Sequence, residues 1–430
     1  MKSKSDTKGL VLVAVLWLMV MLMAIVATAG RNSRLDMKVS SATVEETRCR
    51  WTCRAGIEKA VGILYEDPRE SDSPADLWSD NDEDFNDIML ERCKFTVRVV
   101  DEASKLNINT ATKEQLMALP NMLEEIADAI IDWLDADDTP SSTGVEAGYY
   151  ENLPFKYMVR NGPFRTVREL LLVKGVTEEL FYGEDTNFNG ILDYNEKDGD
   201  ASPPHDDEDS EIDPGWIALL TCYSYDNNTD ATGASRVDIN QANASEMETS
   251  LGITSGQANW IVENREYQSI AGLLGGGSTQ TQSGTGGGSG QTQAIDTQTF
   301  SQIADMITVS SEQRIAGKVN INTASEYVLA ALLGGGDASY TTAQSIIAYR
   351  ESLLYGMESI GELLQSGTIS TDSFSRIANY ITTRSNVYTI RCVATADRSG
   401  ADGQSLQTEA VVDRSSSPYE ILYWYQGAGY

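Results

Sequence analysis

The chain opens on an unbroken apolar run, turns amphipathic, then alternates, and only then begins to repeat. Leu10 to Ala29 contains one polar residue, Thr28. At about 1.5 Å per residue this stretch reaches roughly 30 Å, one hydrocarbon thickness. Lys2, Lys4 and Lys8 precede it, a basic flank that argues export with the N-terminus left inside. Two cut points compete. A cut after Ala29, at the end of Ala27-Thr28-Ala29, makes a soluble exported protein that has lost its signal. A cut after Gly9 keeps the apolar stretch as a transmembrane helix. The length favours retention, because a signal h-region runs only about 7–15 residues.

Beyond the apolar run, Val39, Ala42, Val44, Ala55, Ile57, Ala60, Val61 and Leu64 recur at roughly helical spacing, with no proline before Pro68. One helix is predicted from the membrane to about Tyr65, its outer half amphipathic. Residues 66–90, rich in Asp, Ser and Pro, read as a loop. Residues 93–102, CKFTVRVVDE, alternate as a strand. Near the other end, 387–397, 405–413 and 419–425 are three more strand candidates, the first two flanking the turn-rich RSGADGQ.

The region between them is helical and repeats. LNINTA (106–111), VDINQA (237–242) and VNINTA (319–324) are three copies of one phrase. Each is followed in order by ADAII, ANWIV or AQSII, and then by FRTVREL, YQSIAGL or MESIGEL. Each unit reads as a helical hairpin plus a further helix. The Asn before each Thr/Gln-Ala is placed to cap the helix that follows. A strand-like run precedes each unit: FTVRVVD, ALLTCYSYD and DMITVSS. Residues 275–293 form a Gly/Ser/Thr/Gln insert with the composition of a flexible linker.

Composition narrows the partners. The 430 residues carry a net charge of −32, which repels phosphate backbones and favours cations such as Ca²⁺. The five cysteines, Cys49, Cys53, Cys93, Cys222 and Cys392, show no tetrahedral metal spacing. Cys49 and Cys53 share a helix face, where geometry suits a disulfide poorly. The other three read as small core residues. His205 is the one histidine and lies in an acidic loop, so no Ser-His-Asp or Cys-His set is available and the chain is not read as an enzyme.

The sharpest chemical motif is DTNFNGILDYNE, residues 185–196. It places Asp185, Asn187, Asn189, the Ile191 carbonyl, Asp193 and Glu196 at the calcium-ligand positions of an EF-hand loop, with Gly190 on the turn. Oxygens at alternate positions converge on one ion because the chain coils around it. A second acidic set surrounds DWLDADD (132–138). Asp132 and Asp135 share a helical face, and the carboxylates at the helix end oppose its dipole. Asp135, Asp137 and Glu146 are the candidate ligands there for a second calcium. The hairpin turns LPNML, LGITSG and LGGGDASYTT carry no basic residue, which argues against nucleic-acid binding. An exported helix-hairpin-helix receptor for DNA or another ligand is the alternative reading.

These features together resemble the K-type minor pseudopilin family of the type II secretion system. Gly9-Leu10 before the apolar run looks like a prepilin-peptidase site, VLWLMVMLMAIVA and RWTCRAGIEKAVGIL look like the family's helix, and KLNINTA, IIDWLDADD, YYENLPFKYMVRNGPFRTVRELLLVKGV and KVNINTA look like its helical insert. The resemblance implies an α+β, pilin-like fold: a long N-terminal transmembrane helix packed on a small antiparallel sheet, with a large inserted helical domain of repeated helix-hairpin-helix-like units. It implies a prepilin leader over 1–9, the transmembrane helix over 10–30, and pilin-like helix and first strand over 31–103. The first repeat with the calcium loop covers 104–200, and an acidic linker and strand 201–236. The second repeat, holding the insert, covers 237–318, the third 319–385, and the closing strands 386–430. It also implies calcium binding, a methylated N-terminal amine, and a place in the inner membrane with the bulk of the chain periplasmic. The implied partners are prepilin peptidase, the I and J minor pseudopilins, the inner-membrane assembly platform and the membrane. Ala14 stands at mature position five, where most pilin-like proteins carry Glu. The K type lacks that Glu, which fits a subunit at the tip, helping to start assembly and export folded proteins. The extra repeat departs from the family's usual pattern.

Overall fold

The computed structural model describes residues 7–185, 192–199, 201–202, 204, 210–278, 293–397 and 405–428. His205 and most of the Gly-rich insert lie outside the described residues.

Helix α1 runs from Thr7 to Glu66. Its residues 11–40 are exposed along their whole length. Burial begins at Cys49 and continues through Cys53, Ile57, Ala60, Val61 and Leu64, the three- and four-residue spacing of a single helix face. Each large aliphatic side chain on that face contributes about 1.5–3 kcal/mol by leaving water. After α1 come the short helix α2 (Asp82–Phe85) and strands β1 (Ile88–Leu90) and β2 (Cys93–Asp101). In β2 the alternation CKFTVRV puts Cys93, Phe95, Val97 and Val99 inward and Lys94, Thr96 and Arg98 outward, the period of two that a half-buried strand requires.

The chain then leaves the sheet for nearly 300 residues and comes back beside its point of departure: Asp101 pairs with Tyr388. The excursion holds three units of one design. Each opens on a two-residue strand and closes on a parallel partner. These pairs are β3 (Leu106–Asn107) with β4 (Leu220–Thr221), β6 (Val237–Asp238) with β7 (Ile307–Thr308), and β9 (Val319–Asn320) with β10 (Ile381–Thr382). Strand β5 (Tyr225–Asp226), between the first and second units, pairs antiparallel with β8 (Ile315–Ala316), between the second and third. DMITVSS therefore closes the second unit as it leads into the third.

Inside each unit stand two consecutive helices. These are α3 (Lys113–Met117) and α4 (Glu124–Leu134), then α8 (Ala244–Leu251) and α9 (Ser255–Glu263), then α11 (Glu326–Leu332) and α12 (Asp337–Glu351). The first unit also holds α5 (Ala147–Tyr150), α6 (Glu178–Tyr182) and α7 (Trp216–Leu219). The second adds α10 (Thr297–Ile303), and the third α13 (Glu362–Gln365) and α14 (Thr371–Ile377). One continuous hydrophobic core threads all three units.

The Asn of each NINTA phrase does not cap the following helix. Thr112, Asn243 and Ser325 do that, each accepting from a backbone N–H three residues on. Asn109 instead clamps a distant peptide: its Nδ2 donates to the Phe164 carbonyl at 3.0 Å, and its Oδ1 accepts from the Phe164 N–H at 2.7 Å. Asn240 does the same to Tyr267, at 2.9 and 3.0 Å. Asn322 does it to Met357, at 2.9 and 2.8 Å. One amide supplies both a donor and an acceptor, and only Asn or Gln offers that pair in one planar group. The clamp joins the opening phrase to FRTVREL, YQSIAGL or MESIGEL, so the two words repeat together.

Strands β11 (Val387–Ala396), β12 (Ser405–Asp413) and β13 (Glu420–Ala428) complete an antiparallel sheet in the order β1-β2-β11-β12-β13. The C-terminal third of α1 packs on its inner face and forms a second core, separate from that of the repeats. The fold is thus α+β, a long helix on a small antiparallel sheet with a helical insertion between two neighbouring strands.

Candidate metal centre

The first unit carries the acidic groups that need a counter-charge. Helix α4 ends at Leu134, and Asp135 takes up extended backbone as its cap. Asp132 lies one turn before that end. The loop after it folds back over the helix terminus, placing Glu146 against both. Carboxylate oxygens of Asp132, Asp135 and Glu146 all lie within 4.8 Å of one another. The loop is held by backbone donors: Ser141 N–H donates to Asp132 at 3.0 Å, and Thr143 N–H and Oγ1 donate to Asp128 at 3.1 and 2.8 Å. Gly144 makes the close pass possible, since a Cβ there would fall 2.0 Å from Asp132 Oδ2.

Among the described residues no cation pairs with this set. Both Glu146 oxygens are buried without a hydrogen-bond partner. The nearby cation Lys113 is committed to Asp128 at 2.5 Å and Glu124 at 3.0 Å. Burial, then the charges of Asp132, Asp135, Asp138 and Asp137, push the Glu146 carboxyl up to about 7. Asp135 is raised as well, by burial and by Asp137 and Asp132. The helix C-terminus adds its own negative end. A buried, unpaired carboxylate is costly unless an ion or proton meets it. Three converging carboxylates with an unsatisfied pair of oxygens fit a hard divalent cation that takes oxygen ligands, and calcium tolerates the irregular geometry best.

Asp137, assigned to this set from sequence, takes a different part. Its Oδ1 accepts from Thr139 N–H at 2.7 Å, and its charge reaches Glu146 from the side. Asp132 stands in the inner position. The signal for it was its place three residues before Asp135 on an inward-facing helix.

Of the EF-hand-like loop, Asp185, Asp193 and Glu196 are described, while Asn187, Asn189 and Ile191 lie outside the described residues. Glu196 is buried, and its Oε2 accepts from Asp193 N–H at 3.0 Å. Asp193 and Glu196 cap the turn 194–196 reciprocally. The loop springs from a closed neck: Gly183 bridges Pro214, and the buried Glu184 accepts from Asp213 N–H at 2.8 Å. Both acidic sites therefore belong to excursions from the first unit, and the Asp132–Glu146 site stands beside an aromatic cluster. Trp133 meets Tyr150 edge-on at 5.3 Å and stacks with Phe164 at 6.0 Å. Gly9 and Leu10 lie within α1.

Comparison with known proteins places these units. The first-domain model of "Type II secretion system (T2SS), protein K" matches residues 96–182, and a second model of protein K matches 319–384. Two stretches of the chain are thus similar to the type II secretion system protein K family. A protein K from Pectobacterium carotovorum subsp. carotovorum is 24% identical over 201 residues. That alignment takes in 41% of this chain and 61% of the relative, so the chain spans less than two thirds of the curated relative's length. The crystal structure of the GspK-GspI-GspJ complex from enterotoxigenic Escherichia coli aligns over 90% of this chain and 99% of the matched one. Identity there is 13% and the TM-score 0.49. The two family domains coincide with the first unit, which bears the acidic cluster, and with the third. The second unit lies in the 183–318 interval between them.

Proposed function

We propose that this chain is a minor pseudopilin at the tip of the periplasmic pseudopilus of a type II secretion system, where it helps initiate assembly and the export of folded proteins. One juxtaposition carries the reading. Both protein K domains sit in a head joined to a 60-residue helix whose residues 11–40 are exposed throughout. An 18-residue window of that helix has a mean hydropathy of 2.8, long and apolar enough by composition to cross a membrane. In this reading residues 10–30 anchor the chain in the inner membrane, and the exposed segment beyond them packs on the helices of the I and J minor pseudopilins. The GspK-GspI-GspJ complex names such partners for its own K chain. Prepilin peptidase cuts between Gly9 and Leu10, and the assembly platform receives the product. Calcium at the two acidic loops of the first unit fixes their shape and takes no part in chemistry. The role is structural.

The test is the N-terminal residue and intact mass of the protein extracted from its membrane. A chain beginning at Leu10 with a methylated amine supports the reading. A soluble chain beginning at Gly30 removes the membrane half of α1 and the pseudopilus with it.

A further inference from the structure

Four of the five cysteines sit in the core between α1 and the sheet, and they are arranged as two pairs. Cys49, Cys53, Cys93 and Cys392 are each at most 1% exposed. The Cys49 thiol neighbours that of Cys93, and the Cys53 thiol that of Cys392. Cys53 Sγ also lies 3.4 Å from the Cys392 carbonyl oxygen. The register explains the pairing. Cys49 and Cys53 are one turn apart on the buried face of α1. Strands β2 and β11 are antiparallel neighbours, with Cys93 opposite Ala396 and Cys392 opposite Val97, so both cysteines face the helix from adjacent strands. Gly56 brings the helix close enough, because a Cβ there would fall 2.7 Å from Cys392 Sγ.

A metal site would need three or four of these sulfurs to converge on one point. Among the described residues, the groups that converge within 4.8 Å are two carboxylate sets, and no cysteine belongs to either. Cys222, beside β4 in the first repeat, neighbours the charged Glu102, Glu169 and Lys105 instead. The sulfurs therefore form two separate contacts, each between the stalk helix and a different strand.

We propose that Cys49–Cys93 and Cys53–Cys392 are joined as disulfides in the mature protein, stapling α1 to the head. The proposal rests on the reading that the head is exported, since disulfides persist outside the reducing cytoplasm. The chemistry is thiol–disulfide exchange with a protein disulfide oxidant. One cysteine thiolate attacks the oxidant's disulfide to form a mixed disulfide. The second thiolate displaces the oxidant, which leaves as a dithiol carrying the two electrons. Two protons leave the cysteine pair for each bond formed. The pairs are inaccessible once the core closes, so exchange takes place while the chain folds. The consequence is mechanical. α1 begins to be buried only at Cys49, so any pull along the exposed stalk is delivered to the head at this one interface, and two covalent ties there stop the helix from peeling off the sheet.

The experiment uses the full chain in its own membrane, quenched in acid, alkylated under denaturing conditions and digested with trypsin without reduction. Arg50 lies between Cys49 and Cys53, so the two links fall in separable peptides. The expected result is one peptide pair joining Cys49 to Cys93, another joining Cys53 to Cys392, and alkylation at Cys222 alone. Cys392→Ala should release Cys53 for alkylation and leave the Cys49–Cys93 link in place. Protease access to the head in spheroplasts separates the two ways to fail. A protected head sinks the export reading and takes the staple with it. An accessible head with five alkylated cysteines, or with a Cys49–Cys53 link, overturns the staple alone.

Discussion

Among the described residues two sets of three carboxylates each converge, and they solve the same electrostatic problem in opposite ways. Asp67, Asp72 and Asp76 converge beneath the end of α1. There Arg414 reaches in from the end of β12, with Nη1 2.9 Å from Asp67 and Nη2 on Asp72. Asp72 further accepts from Ser385 N–H at 2.7 Å and Tyr388 Oη at 2.6 Å. The guanidinium lies 5.0 Å over the Tyr388 ring. Among the described residues, Asp132, Asp135 and Glu146 have no such cation, and Glu146 has no donor either. The first set carries its own counter-charge and locks the sheet to the stalk. The second calls for a charge from outside. Convergence of acids alone does not mark a metal site; the state of their remaining lone pairs does.

The largest expected effect comes from breaking the self-sufficient set. Arg414→Met leaves Asp67 and Asp72 buried and uncompensated, and should cost about 3–5 kcal/mol of stability. Thermal unfolding of the detergent-extracted chain should show this equally with calcium and with chelator. A loss that calcium repairs would erase the distinction between the two sets. Next in size is calcium removal from the unaltered protein. A ligand at a hundred times its Kd stabilises by about 2.7 kcal/mol, so chelation should lower the melting temperature, and magnesium at equal concentration should restore less of it. A curve indifferent to both ions contradicts the assignment.

A smaller effect is the pH dependence of that stabilisation. The Glu146 carboxyl stands at about 7 against 4.5 for the unfolded chain. Folding without metal therefore favours its protonated form. That contribution is fully present below 4.5 and is lost as pH rises through 7. Calcium requires the carboxylate, so its affinity should rise over the same window and fall about tenfold per pH unit below 7. Titrations on either side of neutrality check the sign, and a calcium affinity that weakens with rising pH would contradict it.

Much of this was legible in the chain. The apolar run, the face Ile57-Ala60-Val61-Leu64 and the alternation of CKFTVRV follow from periodicity, and the structure places a helix and a strand there. The threefold repeat was legible in its words. What the words do was not, because Asn109, Asn240 and Asn322 act on peptides 27 to 55 residues away, and a capping reading looks only a turn ahead. The Asp67–Asp72–Asp76 set was hidden for the same reason: its cation comes from Arg414, more than 340 residues on. At the acidic centre, spacing placed Asp132 and Asp135 on one face. Only the fold of the loop past Gly144 decides that Glu146 arrives bare and that Asp137 turns to Thr139.

The most direct test of the central claim is calcium stoichiometry on the full-length detergent-extracted protein, native against Glu146→Gln. The substitution keeps shape and removes the charge that has no partner. The variant is expected to bind one calcium fewer than the native chain, and the EF-hand-like loop at 185–196 should bind alike in both. Equal stoichiometry in the two proteins would contradict it.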